Sequence, residues 1–213
     1  MVNRRKVWLS SAILAVSLAA WSTCFAALTF NVVVDTTSLD GTNATLAFDF
    51  FDGGPPSNTV VLGTLASNGT QGTATTTGDV TGTGPWTFSD LGNTSFFNEL
   101  LVDFTPMGTS LAFSFTATDN APDAGSSPDS FVFTILDSTQ HLPLIATDDP
   151  TGANALFLVS IGQGEQSLNV YDPILQPDQI FSIEVTPSSA PEPATLALLA
   201  VGFGAMFRRR RLV

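Results

Sequence analysis

Oxygen ligands dominate the chemically capable residues of this chain. The segment Asp119-Asn120-Ala121-Pro122-Asp123-Ala124-Gly125-Ser126-Ser127-Pro128-Asp129 sets four hard oxygen side chains, Asp119, Asn120, Asp123 and Asp129, within eleven residues. Asp148-Asp149-Pro150 is a second acidic group, and the stretch from Asp35 to Asp40 a third. Calcium takes about six to eight oxygens and often draws them from acidic loops. These loops are therefore the weak candidate sites for Ca²⁺. The competing reading is ordinary turns, because Asp and Asn cap their own backbone and no EF-hand or Gly/Asp nonapeptide spacing is present. The turns are the preferred reading, so no cofactor is expected.

Nucleophilic and metal catalysis have few residues to draw on. The only Cys, Cys24, lies near the N-terminus, and the only His is His141. No Gly-x-Ser-x-Gly elbow accompanies that histidine, and one histidine cannot build a multi-histidine metal centre. His141 reads as an exposed loop residue. A two-carboxylate glycosidase needs only Asp and Glu, but the aromatic platform for a sugar is thin. Trp86 and Tyr171 are the Trp and Tyr that remain beyond the N-terminal segment. One binding hypothesis stacks a sugar on Trp86, with Asp79 or Asp90 bonding hydroxyls; the alternative packs Trp86 in the core or over a sheet edge. The expectation is a non-enzymatic chain.

Charge narrows the partners. No Lys or Arg stands between Lys6 and Arg208. The stretch 27–190 holds eighteen acidic residues, nineteen less Glu192. Such a segment has no cation to replace phosphate counterions, so nucleic acid is excluded as a partner.

Most elements around these residues read as β-strands. Ala44-Thr45-Leu46-Ala47-Phe48-Asp49-Phe50 puts Leu46, Phe48 and Phe50 on one face, and Leu111, Phe113 and Phe115 repeat the pattern. Alternation of this kind marks a half-buried strand. Further runs lie at 28–34, 59–65, 97–104, 130–136, 155–161, 167–171 and 180–186. Phe96 to Leu101 also admits a short helical turn. Residues 70–84 are Thr/Gly-rich and read as a β-arch, an exposed loop or a pair of edge strands. The expected fold is all-β, a jelly-roll-like β-sandwich over 27–187, flanked by two terminal helices.

The N-terminus, 1–26, has the parts of a signal peptide. Arg4, Arg5 and Lys6 precede an apolar run, and Cys24-Phe25-Ala26 offers a small-x-small cleavage site between Ala26 and Ala27. The C-terminal segment, 188–213, contains Pro191-Glu192-Pro193, an apolar run at 194–207, then Arg208, Arg209, Arg210 and Arg211. Fourteen residues make about 21 Å of helix, short for a hydrocarbon core of about 30 Å. The arginines are expected to stop the chain on the cytoplasmic side.

The order Pro-Glu-Pro, short apolar helix, arginine cluster resembles the PEP-CTERM sorting domain of Gram-negative bacteria. The resemblance implies an exosortase, a membrane-embedded cysteine transpeptidase, that recognises Pro191, Glu192 and Pro193 and removes the helix. It further implies delivery to the cell surface or extracellular matrix; signal peptidase and the inner membrane are the transient partners expected from the two terminal segments. Segments such as Thr77-Gly78-Asp79-Val80-Thr81-Gly82 and Ala146-Thr147-Asp148-Asp149-Pro150-Thr151-Gly152 resemble a PEP-CTERM family of unknown function, which transfers no activity. The reading is a structural or adhesive matrix protein, with exopolysaccharide as a partner. A carbohydrate-binding or calcium-binding module is the alternative.

Overall fold

Side chains that alternate between apolar and polar must be laid out on a sheet with one covered face. The structure, a computed structural model, meets this requirement twice. It describes residues 27–91, 95–162 and 168–188; the expected signal and transmembrane helices lie outside them. Among the described residues, no helix is long and apolar enough to cross a membrane.

The strands are Leu28–Asp35 (β1), Ala44–Phe51 (β2), Thr59–Leu62 (β3), Ala66–Ser67 (β4), Gln71–Thr77 (β5), Val80–Gly82 (β6), Trp86–Ser89 (β7), Phe97–Phe104 (β8), Ser110–Ala117 (β9), Asp129–Asp137 (β10), Phe157–Ile161 (β11), Leu168–Val170 (β12) and Ser182–Ser188 (β13). One sheet runs β13-β1-β9-β3-β7-β6, with β4 also on β9; the other runs β12-β11-β10-β2-β8-β5. The pairings are antiparallel. Three of them nest, β1 with β9, β2 with β8 and β3 with β7. Strands β10 to β13 fall outside this nest and widen the sheets.

Phenylalanine joins the two sheets. Phe131 of β10 lies 5.0 Å from Phe115 of β9 and 5.4 Å from Phe88 of β7, ring centre to ring centre. Phe113 meets Phe48 edge-on at 5.3 Å and Phe133 at 5.2 Å. Offset and edge-on aromatic pairs gain beyond their buried area. The alternating residues marked as core, Leu46, Phe48, Phe50, Leu111, Phe113 and Phe115, are all buried.

Some expectations need correction. Phe96 to Leu101 forms no helical turn; residues 97–101 open β8, whose strict alternation of burial wins over local helix propensity. Of the three readings of the Thr/Gly-rich stretch, the pair of edge strands is the one observed, with β5 and β6 at the edges of different sheets. Gly78 makes the crossing with φ +74°, where a Cβ would also strike Asn98 Oδ1 and the Phe97 carbonyl. Strand β7, which follows Gly84-Pro85 at the end of the Thr/Gly-rich stretch, was not among the expected strands.

Phe131→Ala is expected to cost about 3–5 kcal/mol in stability. Phe96→Ala, at a side chain 69% exposed, should stay within about 0.5 kcal/mol. Denaturant midpoints with unchanged slopes would check both.

Candidate functional site

With no Lys or Arg in the described domain, each carboxylate is settled by an N–H, a hydroxyl, a proton or a ligand. The loop carboxylates take the first course. Asp35 Oδ1 accepts the Thr37 hydroxyl at 2.6 Å and the Thr37 N–H at 3.0 Å, which holds its pKa below the usual value. Asp137 does the same with the N–H of His141 and the hydroxyl of Thr139. Burial opposes the charge of Asp149, yet the Thr151 N–H and hydroxyl and the Ala155 N–H outweigh it and lower its pKa. Asp148 Oδ1 accepts the Asp172 N–H at 2.8 Å. Asp35, Asp137 and Asp149 each accept bonds within their own turns, and Asp148 accepts one from Asp172.

The 119–129 loop splits. Asp119 Oδ1 accepts the Gly162 N–H at 2.9 Å, Asn120 donates its amide to the Ser57 carbonyl at 2.8 Å, and Asp123 is exposed. Asp129 alone joins other carboxylates. It meets Asp52, just past β2, and Asp90, just past β7, with one oxygen of each within 4.8 Å of the others. Asp90 and Asp129 are each only 2% exposed. Asn58 links the group, donating its N–H to Asp90 Oδ1 at 2.7 Å and its amide to Asp129 Oδ2 at 2.7 Å. Gly53 donates to Asp129 Oδ1 at 2.6 Å. Burial raises the pKa of Asp129. It raises Asp90 to about 6 against the Asn58 bond, helped by the charges of Asp129 and Asp52. The group can hold a shared proton or a hard cation.

The other feature is a cleft of about 800 Å³ on the outer face of the β10-β2-β8 sheet. Its floor is the outward row of β2, Ala47, Asp49 and Phe51, with Ser130, Val132 and Thr134 of β10 and Glu99 of β8. The connection from β10 to β11 forms one wall, and Phe96 stands at the side of Phe51, 6.2 Å between ring centres. Asp49 lies opposite Glu99 in register. Its Oδ1 is sealed from solvent and has no hydrogen-bond partner. Burial, then the Glu99 charge, raises Asp49 to about 7; burial also raises Glu99.

Trp86 is 2% exposed and belongs to the core, so it cannot stack on a sugar; Asp90 beyond it serves the carboxylate group instead. His141 is exposed, as expected, and lies at the cleft. Sequence reading passed over Asp49, Glu99, Asp52 and Asn58. The available signal was a charged residue inside the apolar run Leu46-Ala47-Phe48-Asp49-Phe50-Phe51.

Against known proteins, the family model of the PEP-CTERM protein-sorting motif matches residues 189–211. No curated protein and no solved structure matches the chain. Pro191, Glu192, Pro193 and the four arginines lie within the matched segment, and the chain carries this sorting motif.

The raised acids make a pH prediction. A carboxyl with a folded pKa of about 6 or 7 and an unfolded pKa of about 4 takes up protons on folding between those values. Stability should therefore fall as pH rises from about 4 to 7 and then level off. Melting scans should show that decline. Asp49→Asn should flatten its upper part and raise the melting temperature at pH 8.

Proposed function

We propose that the protein is an exported β-domain, tethered by its C-terminal segment and handed to an exosortase for release to the cell surface or extracellular matrix. The single observation that carries this is the sorting motif at 189–211, which begins directly after the last strand ends at Ser188. In this reading residues 1–26 leave with signal peptidase, between Ala26 and Ala27. Residues 194–207 then span the inner membrane, with Arg208, Arg209, Arg210 and Arg211 on the cytoplasmic side. Pro191 and Pro193 hold the recognition peptide extended, within reach of a membrane-embedded protease.

The end role is structural or adhesive and non-catalytic. A polyanionic, hydroxyl-rich sandwich suits a hydrated exopolysaccharide layer and has nothing to offer nucleic acid. The nested pairing of β1 to β9 supports a jelly-roll-like description of its centre. A calcium-binding module is the second reading, and one observation favours it: Asp52, Asp90 and Asp129 converge with no Lys or Arg in the described domain to neutralise them.

C-terminal sequencing of the released protein should find an end near Pro191, Glu192 and Pro193, without residues 194–213. Recovery of the whole tail in the envelope, with no released domain, would contradict processing. For the second reading, Ca²⁺ added to chelator-treated protein at pH 7.5 should raise the melting temperature, and Asp129→Asn should abolish the rise. An unchanged melting temperature removes calcium.

A further inference from the structure

An edge strand leaves alternate backbone N–H and C=O groups unpaired, a template for pairing with another chain. Each sheet here has two such edges, β12 and β5 in one and β13 and β6 in the other. Three of the four are guarded. Strands β6 and β12 are only three residues long. Strand β13 carries Glu184 and Pro187, a charge and a residue without an N–H. Strand β5 differs. It is seven residues long, exposed at every position, and paired among the described strands with β8 alone. Its sequence, Gln71-Gly72-Thr73-Ala74-Thr75-Thr76-Thr77, has neither Pro nor charge, and β-branched threonine favours the extended backbone. Its guard is a bulge between Gln71 and Ala74; from Ala74 to Thr77 the pairing with β8 is regular.

Charge selects the occupant of this edge. No charged residue stands between Asp52 and Asp79. An anionic polymer is repelled by the rest of the domain, and a cationic one finds no counter-charge on β5. A second copy of the chain brings the same neutral strand. The acids behind it, Glu99 and Asp103, lie one strand back on β8. With two β5 strands paired, the acids of the two copies stand three strand spacings apart, at least about 14 Å. The screening length at physiological salt is about 8 Å, so their repulsion is largely screened. Pairing through β13 would instead bring Glu184 to the contact itself.

We propose that the domain forms a two-fold dimer by antiparallel pairing of β5 with β5 of a second copy, joining two sheets into one. A two-fold axis normal to the sheet keeps both outer faces on one side, so opposed residues must share a face. One residue of β5 therefore meets its own copy. Within the regular half of the strand this residue is Thr75 or Thr76. The contact is smaller than a standard interface, so the dimer is weak and is favoured by high local concentration. The inference needs only the fold, and failure of C-terminal processing leaves it standing.

The test is sedimentation of the full-length chain in detergent up to about 1 mM, where a Kd of about 0.01–1 mM is expected. Raising NaCl from about 20 to about 500 mM should tighten association at least about threefold, because like-charged domains then repel less. The double variant Thr75→Asp, Thr76→Asp should weaken it about tenfold or more, by placing like charges opposite each other. The double variant Thr75→Val, Thr76→Val keeps the backbone pairing and should stay within about threefold of wild type. In a Cys24→Ser background, Thr75→Cys or Thr76→Cys should oxidise readily to a linked dimer. The other should link more weakly, since its two Cα atoms lie about 8 Å apart. Thr186→Cys, on β13, should not link. An unchanged circular dichroism spectrum certifies each variant as folded. No dimer at about 1 mM, a dimer that the aspartates leave intact, a dimer loosened by salt, or linkage through Thr186 in place of β5 overturns the proposal.

Discussion

A folded domain that contains carboxylates and no Lys or Arg must neutralise or solvate each acid by other means. That constraint runs through this structure. Where an acid lies in a loop, neighbouring N–H groups and hydroxyls take it, as Thr37 does for Asp35 and Thr151 for Asp149. The acid then organises the turn. The connection from β10 to β11 is built on two such turns, at Asp137 and Asp149, and it forms a wall of the cleft.

Where acids are buried the same constraint produces raised pKa values in place of ion pairs. Asp90 and Asp129 approach from different sheets, and Asn58 holds both. The group ties the ends of β7 and β10 together through the two bonds that Asn58 donates. The interior between the sheets is left to phenylalanine. Phe131 and Phe115 carry contacts across the interface with no polar group to satisfy. Packing and charge are thus kept apart, with the aromatic layer inside and the acids at the strand ends and on the outer face.

The cleft departs from that separation. Asp49 occupies an outward position in an interior strand, but the covering connection and Glu99 deny it open water. Its raised pKa and unpartnered oxygen are a local cost that packing alone does not explain. Natural sequences break such rules mainly where a site is built.

Much of this protein was legible in the chain itself. Period-two alternation marked nine of the strands, since a half-buried strand has no other way to satisfy both faces. The segregated charges marked the ends as addresses, and the sorting motif at 189–211 agrees with that reading of the C-terminal end. The turn chemistry of Asp35 and Asp149 was also readable, because those bonds span two residues. Convergence was not. Asp52, Asp90 and Asp129 are far apart in sequence, and Asp49 meets Glu99 only through the β2–β8 register. The burial of Trp86, against a sugar-stacking role, depends on which sheet β7 joins. Local periodicity decides which face of a strand is apolar; strand order and register decide which polar residues meet on the other, and only the tertiary structure supplies them.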